Sequence, residues 1–157
     1  MDFLTGYQDA AYAARYKAFV DKVRAAETPL GGQALSEAVA RYLFKLMAIK
    51  DEYEVARLHS DPAFAAQVAA MFDGAFKLVH HLAPPMISKT GSDGLPKKAP
   101  YGPWVRQLFP WLAKLKGLRG GALDLFGNTE ERRGERALIG EYRLCIEELL
   151  KTLDAGN

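Results

Sequence analysis

Apolar residues recur at helical spacing through most of this chain, and the longest such run organises the rest. From Leu35 to Leu58 the sequence reads LSEAVARYLFKLMAIKDEYEVARL. At roughly 100° per residue, Leu35, Val39, Tyr42, Leu46, Ile49 and Tyr53 share one stripe, which predicts a single long helix. Phe44, Met47, Val55 and Leu58 lie off that stripe, so the helix is apolar around most of its circumference and belongs inside a bundle. Lys50, Glu54 and Arg57 interrupt the pattern. Their spacings, i,i+4 and i,i+3, allow all three to touch on one face. Beside an apolar stripe such charges must pair or reach water. The three form a candidate polar network, read either as an exposed ladder or as a partly buried cluster, with Glu54 contacting Arg57 or Lys50.

The other elements follow from the same pattern. Phe3 to Ala26 reads as one helix with Tyr12, Tyr16, Phe19 and Val23 on its apolar face, and Pro29, Gly31 and Gly32 end it. Asp61-Pro62 is a start signal, because Asp caps free amides and Pro suits the first helical position. Phe64, Val68, Met71 and Phe72 then form the expected buried face, and Gly74 closes the helix. Ala75 to Ala83 (AFKLVHHLA) alternates with period two and predicts a strand stopped by Pro84-Pro85. Its partner is either Met86 to Lys89 or the segment after the turn at Gly91-Ser92-Asp93-Gly94, making Phe76 to Tyr101 an irregular hairpin. Pro103 opens a fourth helix with Trp104, Leu108, Trp111 and Leu115 in line, and Pro110 should break or kink it. Asn128 with Glu131 has capping-box spacing for the last helix, whose expected buried stripe is Leu138, Tyr142, Cys145, Ile146, Leu149 and Leu153. The fold class is mainly α: a bundle of about five helices with a small β-hairpin appendage, one helical domain spanning 1–157.

Composition narrows the class. A chain of 157 residues is near the usual size of one domain. A single cysteine, Cys145, excludes an internal disulfide and a cysteine-ligated zinc or iron–sulfur site, and fits a cytoplasmic location. Its place on the apolar stripe reads as a small core residue rather than a nucleophile. No signal-peptide pattern and no run of 18 apolar residues is present, so no membrane partner is expected. A net charge of +2 is too small to imply nucleic acid. The charge is uneven, however. Leu95 to Leu123 holds six basic residues and no acidic one, leaving −4 for the remainder against the total of +2. Of these, Lys97, Lys98, Lys114, Lys116 and Arg119 are candidates for docking an acidic partner; the plainer reading is a solvated or internally paired surface.

Residue patterns for catalysis are missing. His80 and His81, adjacent on a strand, point to opposite faces and cannot share a metal, and His59 stands on another element. Gly91-Ser92-Asp93-Gly94 with Asn128 departs from a thiamine diphosphate motif and reads as a turn. No glycine-rich phosphate loop follows a strand. Catalytic, cofactor-binding and metal residues are therefore each assigned as none.

Four stretches in order carry a resemblance: KLMAIKDEYEVARLHSD, HHLAPP, YGPWVRQLF and LRGGALDLFGNTEERRGERALIGEY, preceded by FLTGYQDAAYAARYKAFVDKVRAAE. Together they resemble the C-terminal domain of the fused bacterial indolepyruvate ferredoxin oxidoreductases. The resemblance implies a parent enzyme that oxidatively decarboxylates aryl 2-oxo acids to acyl-CoA, uses thiamine diphosphate and iron–sulfur clusters, and passes electrons to ferredoxin. The motifs for those cofactors lie in other domains of that family, so no cofactor is expected in this chain and no catalytic residue transfers to it.

Two kinds of function fit. The first is an accessory domain of the parent oxidoreductase, excised from a larger multidomain enzyme, with its other domains and ferredoxin as partners. The alternative is a non-catalytic small-molecule-binding or regulatory helical module, with a pocket near the strand and Trp104 or Trp111.

Overall fold

The computed structural model describes residues 1–83, 88–89, 91–92, 94 and 97–154. Among them are seven α-helices and one two-stranded antiparallel sheet, a mainly α fold with a small hairpin. The helices are α1 (Asp2–Tyr7), α2 (Ala10–Glu27), α3 (Ala34–Met47), α4 (Glu52–Ser60), α5 (Pro62–Ala69), α6 (Phe109–Lys114) and α7 (Glu130–Lys151). The strands are β1 (His80–Leu82) and β2 (Ala99–Tyr101), with His81 opposite Pro100. The chain forms two compact units, Met1–Ile49 with Arg119–Asn157, and Lys50–Leu118.

Two of the expected helices are each broken by a capping aspartate, which raises five to seven. The run Phe3–Ala26 stops at Gln8, and Asp9 starts α2 by accepting the Tyr12 amide at 2.7 Å. The central run from Leu35 to Leu58 is likewise two helices. Ala48 leaves helical geometry, and buried Asp51 accepts the Glu54 amide at 2.8 Å to begin α4. A side-chain oxygen that satisfies a first-turn amide competes with helix continuation, and apolar periodicity does not register that competition.

In the first unit, α1, α2, α3 and α7 enclose a core of Leu4, Ala13, Phe19, Val23, Val39, Leu43, Met47 and Ile146. Phe19 and Val23 are buried as expected, with Tyr12 and Tyr16 half-buried beside them. Both tyrosines also fasten α2 to α3, donating their hydroxyls to the Met47 carbonyl at 3.0 Å and the Ala40 carbonyl at 2.9 Å. The buried face of α3 is Ser36, Val39, Leu43 and Met47, turned from the predicted stripe, and Tyr42 is exposed with Lys45 against its ring. Glu27 closes the α2–α3 corner. Its carboxylate accepts the Leu35 amide at 2.7 Å and the Ser36 amide at 2.8 Å, doing the capping that Gln33 does not.

The last helix is capped by Thr129, which accepts the Arg132 amide, and not by Asn128, whose side chain donates to the Asp124 carbonyl. Asp124 is buried and organises the loop before it, accepting the amides of Gly120 at 2.6 Å and Gly127 at 2.9 Å. Helix α7 packs through Ile139, Tyr142, Ile146 and Leu150. Leu138, Cys145 and Leu149, expected in the core, are exposed.

The second unit is built on α4 and α6, with Ala56, Val105 and Phe109 buried and Leu82, Tyr101, Leu112 and Ala113 packed around them. Pro110 ends the expected fourth helix: Pro103–Gln107 is a 3-10 turn, and α6 starts afresh at Phe109. Asp61 caps α5 as predicted, accepting the Ala63 amide at 2.8 Å. The expected burial of α5 fails, however, since none of its residues is buried and Met71 and Phe72 beyond it are exposed. The expected strand from Ala75 is also shorter. Only His80–Leu82 pairs, because Phe76 and Val79 face solvent, with Phe76 stacked on Phe72. The partner strand follows the turn where Gly94 donates to Gly91 with a positive φ. Met86, Ile87 and Asp93 of the predicted hairpin lie outside the described residues.

Candidate functional site

The polar residues singled out on the central stripe separate. Glu54 is 2% exposed. Arg57, one turn on, grips it with two parallel hydrogen bonds, Nε to Oε2 at 2.8 Å and Nη2 to Oε1 at 2.7 Å. A planar fork on a carboxylate is the strongest form such a pair takes. Lys50 is not part of it. The lysine precedes the Asp51 cap, outside any helix, so the i,i+4 relation to Glu54 does not arise. Lys50 instead lines a cavity of about 440 Å³ together with Val55, Leu58, His59, Asp61 and Phe64. Neither Trp104 nor Trp111 lines this cavity.

Two of the wall residues, His59 and Phe64, belong to a cluster that sequence spacing did not reveal. His59 of α4 and His80 of β1 meet edge to face, ring centroids 5.0 Å apart. Phe64 stands 4.8 Å from His59, and Phe109 lies 5.5 Å from His59 and 5.2 Å from His80. Nδ1 of His59 and Nε2 of His80 are both buried without a hydrogen-bond partner among the described residues. Burial lowers the pKa of both imidazoles, and nearby positive charge reinforces it: His80, Lys50 and Arg106 act on His59, and Arg106 acts on His80. Both rings are thereby held neutral near pH 7. His81 points away and is exposed, as the strand reading required. His59 and His80 are 21 positions apart, and only the return of the chain into β1 brings them together. Among the described residues, no three His, Cys, Asp or Glu side chains cluster as a metal site would need.

The basic segment is divided between the units. Lys97, Lys98 and Lys114 are exposed in the second unit, and Lys116 is half-buried there. Arg119 belongs to the first unit and is committed to it. Its Nη1 donates to the Tyr7 carbonyl at 2.6 Å and to Gln8 Oε1 at 2.8 Å, and its guanidinium lies 3.8 Å from the centre of the Tyr7 ring. Arg119 thus locks the α1–α2 corner, a role at odds with a free docking cation. The Trp104, Leu108, Trp111 and Leu115 stripe is exposed throughout, with Trp111 at 70%. The residues one position along, Val105 and Phe109, are those buried. Trp104, Leu108, Trp111 and Leu115 are thus left outward, with Lys114 stacked on Trp111 at 5.0 Å.

None of the curated proteins and none of the solved structures matches this chain. A family of unknown function (DUF6537) matches residues 1–157, and the chain belongs to that family.

Proposed function

We propose that this chain is an accessory interaction domain of a larger oxidoreductase that decarboxylates aryl 2-oxo acids and hands electrons to ferredoxin. The observation that carries the interaction role is the exposure of Trp104, Leu108, Trp111 and Leu115 within one short segment. Large apolar side chains grouped on a surface mark places where a partner excludes water, and tryptophan is among the residues that dominate such contacts. Arg106 and Lys114 stand within the same segment, and no acidic residue lies between Leu95 and Leu123. An acidic partner is the complement of that face. The oxidoreductase setting rests on the five stretches of sequence resemblance, and the cofactors belong to other parts of the parent. A cytoplasmic setting accords with the lone exposed thiol of Cys145, and no helix of the described residues is long and apolar enough to cross a membrane.

The test is a titration of the chain, by calorimetry at low ionic strength, with an acidic ferredoxin and separately with the remaining domains of the oxidoreductase. Saturable binding to either, weakened at least tenfold by Trp111→Ser combined with Lys114→Glu, is the expected result. Binding to neither, or binding that ignores the double substitution, overturns the role of this face.

A further inference from the structure

We propose that the cavity beside α4 and α5 is a binding site for a small monocarboxylate with an apolar body. Every residue involved lies in the second unit, and the proposal stands independently of the docking role. The volume, about 440 Å³, is that of a small-ligand pocket. Its walls include Val55, Leu58 and Phe64, which suit an apolar body, and Lys50 supplies an ammonium. His59 joins them on the wall. Its buried neighbour His80 is 7% exposed and carries a ring nitrogen with no hydrogen-bond partner among the described residues. Buried polar atoms without partners are uncommon, and a bound water, ion or ligand is one way such an atom is satisfied.

The charges around the imidazole pair favour an anion over a metal cation. Lys50 from the segment before α4 and Arg106 from the turn before α6 are positive, and His80 from β1 adds a second proton acceptor. On α4 itself, Arg57 is already neutralised by Glu54. The acidic residue on the cavity wall is Asp61 at the start of α5, with Oδ1 taken by the Ala63 amide. A carboxylate seated near Lys50 would offset the positive charge that reinforces burial in keeping the imidazoles neutral, so binding near pH 7 should draw a proton onto the pair. The proton comes from buffer, and no covalent step is involved.

The probes are benzoate and hexanoate, with benzamide as the neutral analogue and inorganic phosphate as an anion without an apolar body. Isothermal titration of the full chain, in buffers of different ionisation enthalpy, reads affinity and proton uptake together. A two-dimensional NMR titration locates the ligand. The expected result is saturable binding of at least one carboxylate, shifting resonances of Lys50, Val55 and Phe64, at least tenfold tighter than benzamide or phosphate. Affinity should rise as the pH falls from 8 to 6. Lys50→Ala, an exposed position whose loss leaves the fold intact, should cut affinity severalfold. Asp61→Asn keeps the helix cap and should raise it. His59→Gln should abolish proton uptake; if that variant unfolds, His59→Asn or the buffer dependence of the unaltered chain supplies the same reading. Benzamide binding as tightly as benzoate, shifts confined to other residues, no binding at millimolar concentration, or a buffer-independent enthalpy would each overturn the proposal.

Discussion

Arg57 holds the buried carboxylate of Glu54 through two hydrogen bonds of 2.8 and 2.7 Å on a single turn of α4. The pair sits where apolar periodicity asked for a core residue, and the bidentate fork is what makes a charge tolerable there. Glu54→Gln keeps the shape and removes the charge, leaving a partly buried guanidinium with a weaker acceptor. The expected loss is about 1–3 kcal/mol relative to Glu52→Gln, the usual range for stranding such a group. Glu52 is the more exposed of the two, and urea melts of both variants give the comparison. Equal midpoints would mean that the pair contributes nothing.

That prediction was legible from spacing because Glu54 and Arg57 lie within one helical turn, where period and contact coincide. The His59–His80 meeting was not legible, since it depends on where β1 returns after an irregular segment. Periodicity also overran the capping signals of Asp9 and Asp51. Each aspartate offers its oxygen to an amide three residues on, which stops one helix and starts another without interrupting the apolar pattern. The buried face of α7 departs from the expected stripe for a different reason. Apolar spacing shows that a face exists but not which face the neighbours cover, and Leu138 and Leu149 are left outside.

The break in the central run gives a direct test. Asp51→Ala removes the acceptor of the Glu54 amide at the start of α4. Loss of an N-cap costs about 0.5–2 kcal/mol. Asp51→Asn or Asp51→Ser should recover most of it, because either side chain can cap. Chemical denaturation of the three variants would show this order. If Asp51→Ala were as stable as Asp51→Asn, the cap would not be what divides α3 from α4.

Two glycines in the C-terminal part of the chain should respond in opposite directions. A Cβ at Gly127 would lie 1.9 Å from Asp124 Oδ2, inside the carboxylate that ties the loop. Gly127→Ala must displace that carboxylate, with a cost of about 1–3 kcal/mol or more. Gly134 is within α7 and a Cβ there meets nothing within 4 Å. Gly134→Ala should therefore stabilise by roughly 0.5–1 kcal/mol through helix propensity. Thermal melts of the two variants shifting in the same direction would contradict the loop geometry.

Glu27 sets one acid-sensitive joint. Burial opposes its charged form, but hydrogen bonds from the Ser36 and Leu35 amides and the Ser36 hydroxyl outweigh that and hold the carboxyl below its ordinary value. A carboxyl with a lowered folded-state pKa stabilises above its unfolded pKa, about 4.3, and the contribution fades as pH falls through the folded value. Unaltered protein should lose stability below about pH 4.5 more steeply than Glu27→Gln, which cannot titrate. Parallel curves for the two proteins across that range would show that the α2–α3 corner is not the acid-labile joint.

The imidazole pair acts in a separate and higher pH window. His59 and His80 both have folded-state pKa values lowered first by burial and then by neighbouring positive charge. In the unfolded chain each would take up a proton near pH 6.5. Between that pH and the lower folded values, the unfolded state binds more protons than the folded one, so stability rises with pH across the interval. The stabilisation is complete above about pH 6.5 and is lost as pH falls beneath it. Urea midpoints should therefore hold steady from pH 8 to 7 and drop between pH 6.5 and 5.5, well above the window assigned to Glu27. Replacing both rings with groups that do not titrate, His59→Phe with His80→Leu, should flatten this drop even if the variant is less stable at pH 8, because the slope reports protons and not packing. His81→Gln, altering the exposed neighbour, should leave the slope as it was. A double variant that lost stability between pH 6.5 and 5.5 as steeply as the unaltered protein would show that other groups carry the proton linkage and that the two rings tolerate charge where they stand.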